Sequence, residues 1–203
     1  MPSILELLED IVRQEFGANT LATVRAVGAE RQVANGALPR ASAFIAALAE
    51  VRKKPHADTC AHVGRQLVAP AFGELTFITR RYSSTRAILL QVNAVGTDLF
   101  ALLFPGHSAP YVDIELQGTD SMRLSVSGSG ELAAFLEGLI LGASDYFEER
   151  VIVHRLSAPV GGAERQLVDV AFEGERREGT GTPPAPGAER RAGVLGGVTT
   201  FLR

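Results

Sequence analysis

The sequence has little sulfur, few aromatic residues and no long apolar run. Its 203 residues include a single cysteine, Cys60, and no tryptophan. A single cysteine excludes an internal disulfide and cannot by itself build a zinc site. No apolar run approaches the roughly 20 residues that a membrane-spanning helix needs, and the N-terminus lacks the pattern of a secretory signal. We therefore expect a cytoplasmic protein that makes no contact with membranes.

There is also no excess of positive charge. The 20 Lys and Arg residues and the 23 Asp and Glu residues give a net charge of −3, which predicts no electrostatic attraction to nucleic acid. Basic residues occur only in short runs such as Arg52-Lys53-Lys54, which are typical of a solvated surface. The sequence contains no G-x-S-x-G, P-loop or H-E-x-x-H pattern. We therefore expect a protein that is not an enzyme and binds no nucleic acid.

The first half of the chain has the spacing of helices. Ser3 and Glu6 form an S-x-x-E capping box ahead of apolar residues at helical spacing, which predicts a helix over 3–16. Phe16-Gly17 is expected to end it, because glycine readily adopts the left-handed conformation at a helix end. Further helices are predicted from Ser42 to about Val51, after Pro55, and from Thr85 to Leu103. The apolar spacing is weak over 18–41 and ambiguous over 71–83, so neither stretch is assigned an element.

After Pro110 the apolar spacing changes from helical to alternating, which indicates strands. It predicts a hairpin around Gly118-Thr119-Asp120, a helix from about Glu131 to Phe147 and two further strands. The predicted fold class is therefore α+β, with a helical N-terminal half followed by an antiparallel ββαββ half. The folded domain is expected to cover residues 1–173. Residues 174–203 are rich in Gly, Pro and Arg and are predicted to be a disordered tail.

Four segments stand out by their order along the chain. They are the opening helix up to Phe16-Gly17, Val63-Gly64-Arg65-Gln66-Leu67, Phe104-Pro105-Gly106-His107-Ser108-Ala109-Pro110, and Glu137-Gly138-Leu139-Ile140-Leu141-Gly142. Together with the order of the two halves, they resemble the heme–nitric oxide/oxygen binding (H-NOX) family of bacteria and of soluble guanylate cyclase. The resemblance covers residues 1 to about 172. It implies an H-NOX-like sensor domain that acts on a separate signalling protein, such as a cyclase or a histidine kinase.

The resemblance also indicates where the family holds its heme. In the family one proximal histidine is the axial ligand, because a neutral imidazole nitrogen anchors iron. That position corresponds to Thr97 when counted back from Phe104-Pro105, and to Gly96 when counted forward from Ile88-Leu89. Neither residue can usefully coordinate iron. Pro110 corresponds to the family's proline that presses on the heme face.

The family's second signature is Y-x-S-x-R, which binds the heme propionates through two hydroxyls and a guanidinium. By resemblance it corresponds to Val126, Gly128 and Gly130, none of which has a polar side chain. We therefore expect no cofactor and a non-enzymatic regulatory module with a degenerate heme site. Two alternatives stay open. One is a genuine heme-based nitric oxide or oxygen sensor with a substitute axial ligand, for which His107 is the first candidate; the other is a binder of another tetrapyrrole or apolar small molecule.

A literal Y-x-S-x-R sequence occurs elsewhere, at Tyr82-Ser83-Ser84-Thr85-Arg86. It precedes the ligand helix, whereas the family's motif follows it. We interpret it as a loop and a helix N-terminus capped by Ser84 or Thr85, with an anion-binding role of Arg86 as the alternative. Cys60 is interpreted as a small buried hydrophobic residue. Three histidines are interpreted as structural or surface residues, namely His56, His62 and His154.

Overall fold

The computed structural model describes residues 3–35, 40–94, 111–127, 130–157 and 165–173. The described helices are α1 (Ile4–Asn35), α2 (Arg40–Arg52), α3 (His56–Glu74), α4 (Thr76–Arg81), α5 (Thr85–Leu89) and α6 (Gly130–Tyr146). The strands are β1 (Val112–Leu116), β2 (Ser121–Ser127), β3 (Val151–Ser157) and β4 (Arg165–Phe172). They form one antiparallel sheet in the order β1-β2-β4-β3. This arrangement confirms the predicted α+β fold class.

Helix α1 begins with the predicted capping box and bends at the predicted glycine. The backbone N–H of Ser3 donates to Glu6 Oε2 at 2.6 Å, and the backbone N–H of Glu6 donates to Ser3 Oγ at 3.3 Å. Gly17 has φ +85° and ψ 167°, a conformation that residues with a side chain rarely adopt. The backbone of Gly17 is not helical, so the first helical segment ends at Phe16-Gly17 as predicted, and a second segment of α1 continues beyond the kink to Asn35.

The sequence predicts no element over the weakly patterned stretch 18–41, whereas in the structure most of it forms the second part of α1. The contact of this part with α2 uses small residues: a Cβ added to Gly28 would lie 3.8 Å from Ala47 Cβ. Few large apolar side chains fit such a narrow contact, and the ones that are buried include Leu21 and Val24. The apolar period is therefore weak in the sequence although the helix is packed.

The helix predicted from Thr85 to Leu103 is interrupted. Helix α5 ends at Leu89. After it, the N–H groups of Gln91 and Ala94 each bond three residues back, which is tighter than an α-helix. Asn93 lies within the second of these turns and reaches β1. Its Nδ2 donates to Val112 O at 2.8 Å, and the Val112 N–H donates to its Oδ1 at 2.9 Å. Residues 95–103 of the predicted helix lie outside the described residues.

Helices α3 and α6 pack with their backbones in contact, and this contact joins the helical half to the sheet. A Cβ added to Gly138 would lie 2.0 Å from Ala61 O, and one added to Gly64 would lie 2.5 Å from a backbone oxygen of α6. Further along, Arg65 donates two hydrogen bonds to the Asp145 carboxylate, at 2.6 and 2.8 Å. Two of the segments that carry the H-NOX resemblance are therefore in direct contact.

Helix α6 covers one face of the sheet. Alternate residues along the strands point toward it, and the buried ones are Val112, Met122, Leu124, Val126, Val168 and Val170. The opposite face carries Arg123, which donates two hydrogen bonds to Asp169 at 2.7 and 2.9 Å. This hydrogen bonding lowers the pKa of Asp169. The sheet thus has one packed and one polar face, as antiparallel sheets commonly do.

Replacing Gly138 by alanine should destabilise the protein, because the new methyl group would overlap the Ala61 carbonyl oxygen unless α3 and α6 separate. We expect Gly138→Ala to lower the free energy of unfolding by about 1–3 kcal/mol, the usual cost of overpacking. Urea denaturation followed by circular dichroism measures it. Gly73→Ala in α3 is the matched control, because a Cβ there meets nothing within 4 Å. Equal stability of the two variants would contradict the backbone contact.

Candidate functional site

Two of the six positions that the resemblance assigns to heme binding lie among the described residues. Val126 lies in β2, paired with Val112 on one side and Gln166 on the other. It is 2% exposed and belongs to the apolar cluster between the sheet and α6. Gly130 is the first residue of α6, where it is exposed and a Cβ would meet nothing within 4 Å.

The remaining candidate positions lie outside the described residues. They are Gly96, Thr97, His107, Pro110 and Gly128. The assignments for the axial ligand, including His107 as its substitute, therefore stay predictions.

A heme propionate is held best by hydroxyl or guanidinium donors. Neither Val126 nor Gly130 has a side chain that can donate a hydrogen bond. The Val126 side chain in addition contacts apolar residues of the core. At the two described positions that the resemblance assigns to the clamp, the residues present do not fit a propionate.

The literal Y-x-S-x-R segment is the N-terminus of a short helix. Ser84 Oγ accepts a hydrogen bond from the Ala87 N–H at 3.1 Å, which confirms Ser84 as the cap. The backbone N–H of Thr85 donates to the Glu149 carboxylate at 2.8 Å. These contacts join α5 to the chain that follows α6. Arg86 turns toward β4, with its guanidinium carbon 6.0 Å from the centre of the Phe172 ring.

The described cysteine and histidines have the predicted roles. Cys60 is 6% exposed, and burial raises the pKa of its thiol to about 11. Cys60 packs within the apolar cluster of α1, α2 and α3, as expected of a small buried hydrophobic residue. His62 Nε2 lies 2.7 Å from Glu15 Oε2 at the surface. Two further histidines are exposed, His56 beside Glu131 and His154 opposite Asp169.

Metal ligands and membrane spans were also sought within the described ranges. There, no group of three or more His, Cys, Asp or Glu side chains could hold a metal ion. None of the described helices is both long enough and apolar enough to cross a membrane.

A pocket with charged and apolar lining lies where α1 bends, and the sequence did not single it out. Its volume is about 240 Å³, and the Arg52 guanidinium lies 3.8 Å from the centre of the Phe16 ring beside it. It is lined by Glu15, Phe16, Leu48, Arg52, Lys54, Asp58, Thr59 and His62. The lining has two cationic and two anionic side chains, whose charges balance. The pocket therefore favours neither an anionic nor a cationic ligand. Phe16-Gly17 was the available signal: it predicted the end of the first helical segment, which the Gly17 backbone confirms, but it did not indicate a pocket.

Replacing Ser84 by alanine should destabilise the protein without changing any ligand affinity, because Ser84 caps α5. We expect Ser84→Ala to lower the free energy of unfolding by about 1 kcal/mol, the usual value of an N-cap. The control is Ser83→Ala, one residue earlier and exposed, which should leave stability unchanged. A loss of hemin affinity in Ser84→Ala at unchanged stability would instead indicate that the segment binds a ligand.

The fold matches solved structures of H-NOX proteins. One from Shewanella oneidensis, in the Fe(II)NO ligation state, has a TM-score of 0.67 and 17% identity, covering 84% of this chain and 98% of that chain. A mutant of the T. tengcongensis H-NOX has a TM-score of 0.62 and 16% identity, covering 82% of this chain and 94% of that chain. At such identities the likeness establishes the fold. No curated protein sequence matches this chain.

A family model described as Haem-NO-binding matches residues 3–155, which is well over half of the 203 residues. This match contradicts the expectation that no cofactor is involved, because heme is the cofactor of the family. That expectation rested on side chains at a few positions, whereas family membership is carried by the pattern of the whole domain. The family consists of sensor domains rather than enzymes. From its helical half through β3, this chain belongs to the Haem-NO-binding (H-NOX) family.

Proposed function

We propose that this chain is a sensory and regulatory domain for signal transduction in which the propionate clamp of the H-NOX family is missing. The observation that carries the proposal is the placement of Val126, which is 2% exposed within the apolar core between the sheet and α6. A valine there contacts other apolar side chains and offers no donor to a carboxylate. Gly130, the other described position of the clamp, has no side chain at all.

The missing clamp has a consequence for affinity. Hydrogen bonds between a guanidinium and a carboxylate are charge-assisted and stronger than neutral ones. The chain lacks these bonds at Val126 and Gly130. Its affinity for hemin should therefore rise when a guanidinium is restored at the right place.

We propose further that the output is a contact with a separate signalling protein, a cyclase or a histidine kinase by resemblance to the family. The contact of α3 with α6 supports this, because close-packed elements transmit displacements instead of absorbing them. A shift of the helical half would therefore move α6 together with the sheet that it covers. The sheet surface is where such a shift would be accessible to a partner.

Restoring one donor of the clamp should strengthen hemin binding. We choose Gly130→Arg, because Gly130 is exposed at the start of α6 and a side chain there has room. We expect the dissociation constant for hemin, obtained by titration of the Soret absorbance, to fall about tenfold relative to the unmodified chain, as one charge-assisted hydrogen bond would give.

Gly130→Ala is the matched control, because it makes the same backbone change without the guanidinium. It should leave the hemin dissociation constant unchanged. If Gly130→Ala lowers the hemin dissociation constant as much as Gly130→Arg, the gain comes from replacing glycine at the start of α6 and not from the guanidinium. That result, or no change in either variant, would contradict the proposal.

A further inference from the structure

Strand β3 forms one edge of the sheet and has the features of a pairing strand. It spans seven residues, Val151–Ser157, and within the described sheet it pairs only with β4. On its outer face Ile152 and Leu156 are 41% and 40% exposed. A long edge strand with exposed apolar side chains is a template for another strand.

The backbone groups that β3 presents at this edge follow from its neighbours. The Glu173 N–H donates to Arg150 O at 2.9 Å, whereas the Phe172 N–H donates to Asp120 O, away from β3, at 2.8 Å. Successive residues of a strand direct their backbone groups to opposite sides, so bonding to β4 alternates along β3. The residues whose N–H and C=O groups point away from β4 are Val151, Val153, Arg155 and Ser157.

We propose that β3 pairs with the β3 strand of a second copy of this chain, antiparallel and about a two-fold axis at His154. The two four-stranded sheets then form one continuous sheet of eight strands. In this register Ile152 of each copy lies opposite Leu156 of the other, on the same face. The exposed apolar side chains of the two strands thereby cover one another, and all seven residues of β3 have a partner.

The outward backbone groups fit the same register. Val151 then lies opposite Ser157 of the second copy, and Val153 lies opposite Arg155. Both are pairs in which the two residues exchange N–H to C=O bonds, because all four residues direct these groups toward the edge. The seven-residue strand is thus complementary to itself in its backbone as well as in its apolar side chains.

The placement of apolar and like-charged side chains selects the register. A shift by two residues in one direction would place Arg155 opposite Arg155 of the second copy. The opposite shift would place Leu156 opposite Arg150, beyond the end of the strand. A shift by one residue would turn the apolar residues to opposite faces. Only the register centred on His154 pairs the apolar residues without opposing two arginines.

The other edge of the sheet is unsuitable for the same contact. Strand β1 has five residues, and its antiparallel pairing about Ile114 would place Asp113 opposite Glu115 of the second copy. Like charges directly opposite each other destabilise a strand pair. A second copy therefore fits β3 and is repelled at β1.

Sedimentation velocity of the full chain over a range of concentrations tests the proposal. The mass should rise from 21.6 kDa toward twice that value with concentration. Ile152→Lys and Leu156→Glu should each raise the dimer dissociation constant by about tenfold or more, because each places a charge opposite an apolar residue. The double variant should return it to about the native value, because the introduced lysine and glutamate face each other across the axis. Failure of the double variant to restore the dimer would overturn the register.

The matched control is Leu116→Lys, which adds the same charge at an exposed position of β1 and should leave the dissociation constant unchanged. Hydrogen exchange gives a second readout. The N–H groups of Val153 and Arg155 should exchange slowly in the dimer and fast on dilution, whereas that of His154 stays slow in both. A mass of 21.6 kDa at every concentration, or slow exchange of the Val153 N–H irrespective of dilution, would overturn the proposal. The second result would mean that another segment of the same chain covers the edge.

Discussion

The contact of α3 with α6 is the interaction on which the rest of the structure depends. Two helices approach until backbone meets backbone only if the residues between them lack side chains, and Gly64 and Gly138 meet this condition. Helices α1 and α2 pack against α3, while the sheet packs against α6. The relative position of the two halves is therefore fixed by glycines, and the Arg65–Asp145 pair secures one end of the contact.

The elements that the sequence predicts well are those whose cause is local. The capping box involves only Ser3 and Glu6. The alternation in the hairpin and the apolar stripe of α6 likewise depend on residues that are close together in the sequence. The elements that it misses depend on distant contacts. The second part of α1 packs through Gly28 against α2, and such small residues give the sequence only a weak apolar periodicity. The interruption after α5 accompanies a hydrogen-bonded pair between Asn93 and Val112, which no local pattern reveals.

The candidate site shows the same division. The assignment of Val126 to the clamp, by counting from Gly138, stays a prediction, whereas its position in β2 against α6 follows from alternation that the sequence contains. The inference that no cofactor is involved was wrong, because it relied on single side chains at positions assigned by counting, whereas the match to a heme-binding family extends over residues 3–155. The identity of a residue establishes what its side chain can donate. It does not establish whether the domain as a whole can bind a cofactor, because binding depends on residues from several helices and strands.

The double hydrogen bond between Asn93 and Val112 has a consequence for the sheet. Val112 is the first residue of β1, and it bonds to Asn93 of the helical half in addition to pairing with Val126 of β2. The first residue of β1 is therefore anchored from two sides, by the hairpin that follows it and by a side chain that precedes it in the chain. Because an amide side chain both donates and accepts, a single residue holds both backbone groups of Val112.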